Sequence, residues 1–278
     1  MSTMRDLVER LTPLQRVFCS SDYDRAIDII REHLPCKVIE YGPDDIFNGW
    51  EIPPRWDVEE AYIRRDGELV FDGMAHSLRV IALSAPFEGS VSLKELKQHL
   101  HYDGRYDDAV PYHFRQEYRN WERDWGFCVP RMLYDSLEPG TYDVTIRTRE
   151  APGTLKLLEC VHEGALPYSI VLMSHLDHPG MSNDGAAGCA VGVEIMRRLQ
   201  GKTTKFTYRL LLHQEVIGSE YYLGRMPCDE RETLLEGLFL EMLGSQTQLG
   251  LQFAPLRRTN IELSLHNQLV RYHFDHRT

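Results

Sequence analysis

Residues 170–188 read IVLMSHLDHPGMSNDGAAG, an apolar run, a polar loop and a run of small residues. Ile170–Ser174 is a short apolar run that predicts a buried strand, and Ala186–Leu199 sets Ala187, Val191, Ile195 and Leu199 on one face of a helix. Strand, polar loop and helix therefore follow one another, with His175, Asp177 and Asp184 in the loop. On an extended chain, residues i and i+2 face the same side. Asp177 is thereby placed to hold the orientation and basicity of His175, or of a neighbouring ligand, from behind. Asp184 opens the helix and is followed by Gly185, Ala186, Ala187 and Gly188, small residues that let the helix backbone pack closely against the site. The helix dipole at that end favours an anionic ligand, and a plain N-cap is the bland role for the same aspartate.

Outward from this segment the rhythm repeats. Phe206–His213 and Gly237–Met242 read as strands and Ser219–Leu223 as the start of a helix. Val144–Thr148 and Thr154–Cys160 read as a pair of strands. Upstream, residues 22–34 place Ala26, Ile27, Ile30 and Leu34 at helical spacing, and Lys37–Tyr41 follows as a short strand. Strands alternating with helices predict an α/β domain built on a mostly parallel, helix-covered sheet. Ligands of such sheets gather at the carboxyl ends of the strands, which is where the polar residues stand. His175 and Asp177 follow the first strand and Asp184 opens its helix, Glu215 follows Phe206–His213, and Glu241 ends Gly237–Met242. Imidazole nitrogen with carboxylate oxygen suits Zn²⁺, and carboxylates with one able to bridge suit a metal pair. One or two Zn²⁺ ions are the expected cofactor. His178 and His213 read as hydrogen-bonding neighbours, Tyr221 and Tyr222 as packing residues, and Arg257 and Arg258 as a solvated basic pair able to meet an acidic substrate group.

Between residues 44 and 140 the texture changes to short strands such as Ala61–Arg64, Leu69–Phe71 and Leu78–Ser84, broken by Pro, Gly and Asp. A helix over Leu93–His101 interrupts them. All four tryptophans (Trp50, Trp56, Trp121, Trp125) lie here, which predicts a small inserted β-rich domain with its own aromatic core. The expected division is therefore an α/β domain of residues 1–43 and 141–278 around an insert of 44–140.

The net charge of −11 argues against a nucleic-acid partner, which would require a basic surface. No apolar run approaches the roughly 18 residues that span a bilayer, so no membrane contact is expected. The opening MSTMRDLVERL carries charges where an export signal needs an apolar core, and a cytoplasmic location follows as the expectation. Cys19, Cys36, Cys128, Cys160, Cys189 and Cys228 form no C-x-x-C pair and read as reduced, mostly buried thiols. There is no Gly-x-Ser-x-Gly elbow, phosphate loop or dinucleotide fingerprint.

SHLDHPGMSNDGAAG (residues 174–188) resembles the His-x-Asp…Asp signature of the co-catalytic zinc aminopeptidases. Glu215-Val216-Ile217-Gly218-Ser219 resembles their second acidic motif, and Leu240-Glu241-Met242-Leu243-Gly244 their Asp-Met-x-Gly strand end. The stretches at 50–72, 77–100, 109–114 and 125–130 are similar to the β-rich module inserted in aminopeptidase-like proteins of bacterial polysaccharide and secondary-metabolite clusters. The resemblance covers most of residues 5–245. It implies His175, Asp184, Glu215 and Glu241 as metal ligands and Asp177 as the orienting carboxylate. It further implies a zinc-dependent hydrolase acting on a small peptide or aminoacyl substrate with a free amino group.

This chain departs from that pattern in three places. Gln214-Glu215 stands for a pair of glutamates, so Glu215 is either the base or a ligand. Glu241 replaces an aspartate. The last histidine ligand of the family falls beyond this sequence, and His266, His273 and His276 come too early for it. The chain thus resembles a C-terminally shortened member. A weakly active or inactive protein that binds a peptide, an amino sugar or a partner is a second reading; a third is a fragment whose remaining strands are removed or supplied by another subunit, with an open sheet edge that would favour homo-oligomers.

Overall fold

In the computed structural model, which describes residues 3–254 and 259–275, the chain opens with helices α1 (Thr3–Leu11) and α2 (Ser21–Arg31) and strand β1 (Lys37–Tyr41). Helix α2 starts where Ser20 Oγ accepts the Tyr23 N–H at 3.1 Å, and it buries Tyr23, Ala26, Ile27 and Ile30, the face its periodicity predicts. Arg257, Arg258 and His276 lie outside the described residues.

The middle of the chain forms β2 (Arg55–Arg65), β3 (Glu68–Asp72), β4 (Phe87–Ser92), α3 (Leu93–Leu96), β5 (Leu100–His101), α4 (Arg115–Tyr118), β6 (Phe127–Cys128), α5 (Arg131–Ser136) and β7 (Thr141–Ala151). Its antiparallel sheet runs β3-β2-β7-β4, and β5 pairs with β6 beside it. Trp56 and Trp125 join the core of this sheet, whereas Trp50 packs on Tyr118 and Trp121 is 70% exposed, so the aromatic core takes only part of the tryptophans. Leu78–Ser84 is not a strand: Val80 makes a single bridge to Phe127, although Val80, Ile81, Ala82 and Leu83 are all buried. An apolar run reports burial, and burial here is met by turns, one of them with Leu83 at φ 57°. The helix expected over Leu93–His101 stops at Leu96, because Leu100 and His101 are taken into the pairing with Phe127 and Cys128.

The remainder builds the main sheet from β8 (Leu155–His162), β9 (Leu166–His175), β10 (Phe206–His213) and β11 (Leu234–Phe239), with helices α6 (Ala187–Leu199), α7 (Ile217–Arg225), α8 (Cys228–Arg231) and α9 (Asn260–Asp275). Strand order is β1-β8-β10-β9-β11. The sheet is mixed, which corrects the expectation of a mostly parallel one: β9, β10 and β11 are parallel, while β8 is antiparallel to both of its neighbours. The cause is local. Only Glu163, Gly164 and Ala165 join β8 to β9, and a parallel crossover needs roughly a dozen residues. Strand β7 does not pair with β8 as read from the sequence. It lies in the other sheet between β2 and β4, and Pro152-Gly153 turns the chain from one sheet into the next.

Helices cover both faces of the main sheet. Leu158, Leu210 and Leu212 pack with α1, α2 and α6, and Leu155, Leu157 and Leu211 point the other way against Ile217, Tyr221 and Tyr222 of α7. A disulfide between Cys36 and Cys160 ties the chain just before β1 to β8, correcting the expectation of six free thiols; Cys19, Cys128 and Cys189 are free and buried, and Cys228 is free and exposed. No helix among the described residues is long and apolar enough to cross a membrane.

Candidate metal centre

The register of the parallel strands aligns the chemistry. His175 ends β9 directly opposite His213 at the end of β10, and β11 flanks β9 on its other side. Past His175 the chain makes a buried loop, then a kink within Ser182–Ala186, non-helical at Asp184 and Gly185, that places Asp184 just before α6. The loop holds its shape through one residue that nothing nearby in sequence announces. Arg16, fully buried, donates from Nε to the Leu176 carbonyl at 2.8 Å and from Nη2 to those of Asp177 (3.3 Å), His178 (2.8 Å) and Met181 (3.2 Å). Its Nη1 donates to Leu11 in α1. Cys189 Sγ donates to the His175 carbonyl at 2.9 Å.

Within this frame His178, with its side chain only 6% exposed, stands between carboxylates. Its Nε2 is 3.0 Å from Glu215 Oε2 and 3.7 Å from Asp177 Oδ2, and its Nδ1 is 3.1 Å from Asp184 Oδ1. The last approach is short but out of line for a hydrogen bond, so the attraction there is electrostatic. Burial alone would keep the imidazole neutral, but Asp177, Asp184 and Glu215 outweigh it and raise the ring to about 10. The cluster is a receptor for positive charge. The same imidazole holds the Asp184 carboxyl below the usual range, and burial pushes Asp177 above it. Asp177 is fully buried and accepts the Glu215 backbone N–H with both oxygens, each at 3.2 Å.

The donor atoms of His175, His178 and Asp184 all lie within 4.8 Å of one another, and among the described residues no other group of three His, Cys, Asp or Glu gathers so closely. His175 Nδ1, His178 Nδ1 and Asp184 Oδ1 are buried without a hydrogen-bond partner. Buried polar atoms normally have partners. Imidazole nitrogens and a carboxylate left open toward one another are a donor set that fits zinc. His178 is therefore drawn into the group, although the sequence reads it as a neighbour; its signal was its place in the same loop, one residue after Asp177. Glu215 is half-buried beside the group, bonded through Oε2 to the Tyr118 hydroxyl at 3.0 Å. Glu241 is exposed beyond β11 and stands apart from it.

Two further neighbours are partly satisfied, with Gln214 Oε1 and His213 Nε2 buried without a partner. Gln214 donates from Nε2 to the Phe18 carbonyl at 3.0 Å. Burial lowers His213 to about 4, its Nδ1 lying 2.6 Å from the Gln214 carbonyl oxygen. Phe239 lays an edge against His175 with ring centroids 4.6 Å apart. Val216, directly after Glu215, holds φ of 59°, a strained value. Tyr118 is the other residue that sequence reading passes over; it reaches Glu215 from α4 in the middle region.

A family model described as a domain of unknown function, DUF4910, matches residues 5–278. A Clostridium acetobutylicum protein named for polysaccharide biosynthesis with an aminopeptidase-like domain is 31% identical over 240 residues, covering 86% of this chain and 54% of that protein. A crystal structure from the same organism, described as a peptidase, superposes with a TM-score of 0.78 at 30% identity, over 85% of this chain and 55% of that one. A zinc aminopeptidase from Bacillus subtilis shares the fold at TM-score 0.60 and 14% identity, over 87% of this chain and 68% of that one. The chain spans about half the length of the curated relative it matches.

Proposed function

The chain belongs to the DUF4910 family, and on that premise we propose that it is a zinc-dependent, aminopeptidase-like hydrolase that cleaves an amide bond next to a free amino group. One observation carries the reading: the donor atoms of His175, His178 and Asp184 gather at the ends of parallel strands, buried and without hydrogen-bond partners. When bound, zinc supplies a Lewis acid for a carbonyl and acidifies a water. His175 and Asp184 fix where that charge sits, for one ion or two. Glu215 faces the same space as a base or a further donor, and Asp177 anchors the Glu215 backbone. Glu241 would complete the donor set only by turning in from solvent. Gln214 cannot take a proton, and its amide nitrogen donates to Phe18, so proton handling falls to other groups. The substrate we assign is a small peptide or aminoacyl compound, in line with the names of the relatives.

The test uses zinc-loaded protein and a panel of aminoacyl p-nitroanilides with their N-acetylated counterparts. Hydrolysis of the free-amine compounds alone is expected. It should be abolished by a chelator and lowered more than about 100-fold in His175→Ala, beyond the 10–100-fold typical of losing an outer partner. Zinc uptake without cleavage of any compound would contradict the hydrolase assignment and leave a binding protein.

A further inference from the structure

We propose that His178 is a second imidazole ligand of the metal, binding through Nδ1, and that Glu215 is the carboxylate that positions it rather than a ligand itself. This rests on the metal reading above. Tetrahedral zinc with bonds of about 2.0–2.1 Å sets neighbouring donor atoms roughly 3.3 Å apart. His178 Nδ1 and Asp184 Oδ1 are 3.1 Å apart, both buried and neither hydrogen-bonded, which is the spacing of two donors that share one ion.

The opposite side of the ring assigns the tautomer. Nε2 meets Glu215 Oε2 at 3.0 Å, and an ionised carboxylate only accepts, so Nε2 carries the proton and the lone pair of the neutral ring is on Nδ1. A ligating histidine whose other nitrogen donates to a carboxylate is the usual way a protein fixes ring and tautomer together. Glu215 is itself held for this task. The same Oε2 accepts the Tyr118 hydroxyl at 3.0 Å, and the backbone N–H is fixed by both oxygens of Asp177. Tyr118 packs edge-on against Phe18 and Trp50, with ring centroids 5.7 and 6.2 Å apart. The chain of support runs from Tyr118, in the middle region, through Glu215 to His178. The backbone agrees: His178 sits at φ 70°, and Arg16 holds its carbonyl at 2.8 Å.

Zinc binds the unprotonated Nδ1, so uptake releases to solvent any proton held there. The experiment is long-range ¹H–¹⁵N correlation of ¹⁵N-histidine protein with and without zinc, assigned with His178→Asn, whose side chain tolerates the left-handed backbone. Expected is a ring with protonated Nε2 and a zinc-shifted Nδ1, missing in the variant. Zinc affinity should fall more than about 100-fold in His178→Asn but only about 10–100-fold in Glu215→Gln, as for a lost outer carboxylate. Circular dichroism checks that both variants fold. Zinc uptake by the wild type with unchanged His178 signals, or a Glu215→Gln loss matching that of His178→Asn, overturns this assignment and leaves the metal reading intact. No zinc uptake at all overturns both.

Discussion

Replacing Arg16 with Met is expected to remove on the order of 3–5 kcal/mol of folding stability, the sum of several buried carbonyls left without a donor. Arg16 is enclosed completely, and its guanidinium is the partner of the carbonyls of Leu176, Asp177, His178 and Met181. Without it those acceptors stay buried with nothing to bond, at a cost of about 1–3 kcal/mol for each left unsatisfied. The loop that carries His175, Asp177 and His178 would lose its frame, so zinc affinity should fall along with stability. Arg16→Lys should rescue little, because a point charge on a flexible stem cannot replace a planar fork with several donors. Urea unfolding followed by far-UV circular dichroism reads the effect. A change within about 0.5 kcal/mol, the range of an ordinary surface substitution, would contradict this role.

The second large effect is expected at Gly188. A Cβ there would meet the Leu240 carbonyl oxygen at 2.1 Å and Ser174 Oγ at 2.4 Å. Neither is free to move, since Ser174 Oγ donates to that same carbonyl at 2.9 Å across the junction of β9 and the chain after β11. Gly188→Ala should cost at least the 1–3 kcal/mol of an overpacked core, and Gly188→Val more, with α6 pushed away from the sheet. Gly104→Ala is the control: nothing lies within 4 Å of its Cβ, and its stability should stay within about 0.5 kcal/mol of the wild type. Equal melting temperatures for Gly188→Ala and Gly104→Ala would contradict the close approach.

The small residues after Asp184 were legible for this reason: close packing leaves its mark on residue size in a contiguous stretch. Strands β1 and β10 were legible end to end, since their alternation and apolar content are local, and α6 and α2 came within a residue or a few of their bounds. Strand direction was not legible. Nothing in the composition of β8 says that it runs against β10; that follows from the short link to β9, a feature of connection length rather than of residue type. The site divides in the same way. His175, Asp177 and Asp184 lie close together in sequence and announce themselves. Arg16 acts on a loop some 160 residues away and Tyr118 on a glutamate 97 away, so no window of sequence contains both partners. His178 was in view but could not be told from a neighbour until the geometry showed Nδ1 facing Asp184 without a hydrogen bond. The Cys36–Cys160 bridge was hidden likewise, because it joins positions brought together only by the pairing of β1 with β8.

Elemental analysis reads the metal site itself. Protein purified without added metal, then supplied with zinc and dialysed, is measured beside His175→Ala and Asp184→Ala treated in the same way. Stoichiometric zinc is expected in the wild type, with its loss in both variants while their circular dichroism stays that of the folded chain. Wild-type protein that retains no zinc after it is supplied, or variants that retain as much as the wild type, would contradict the metal site.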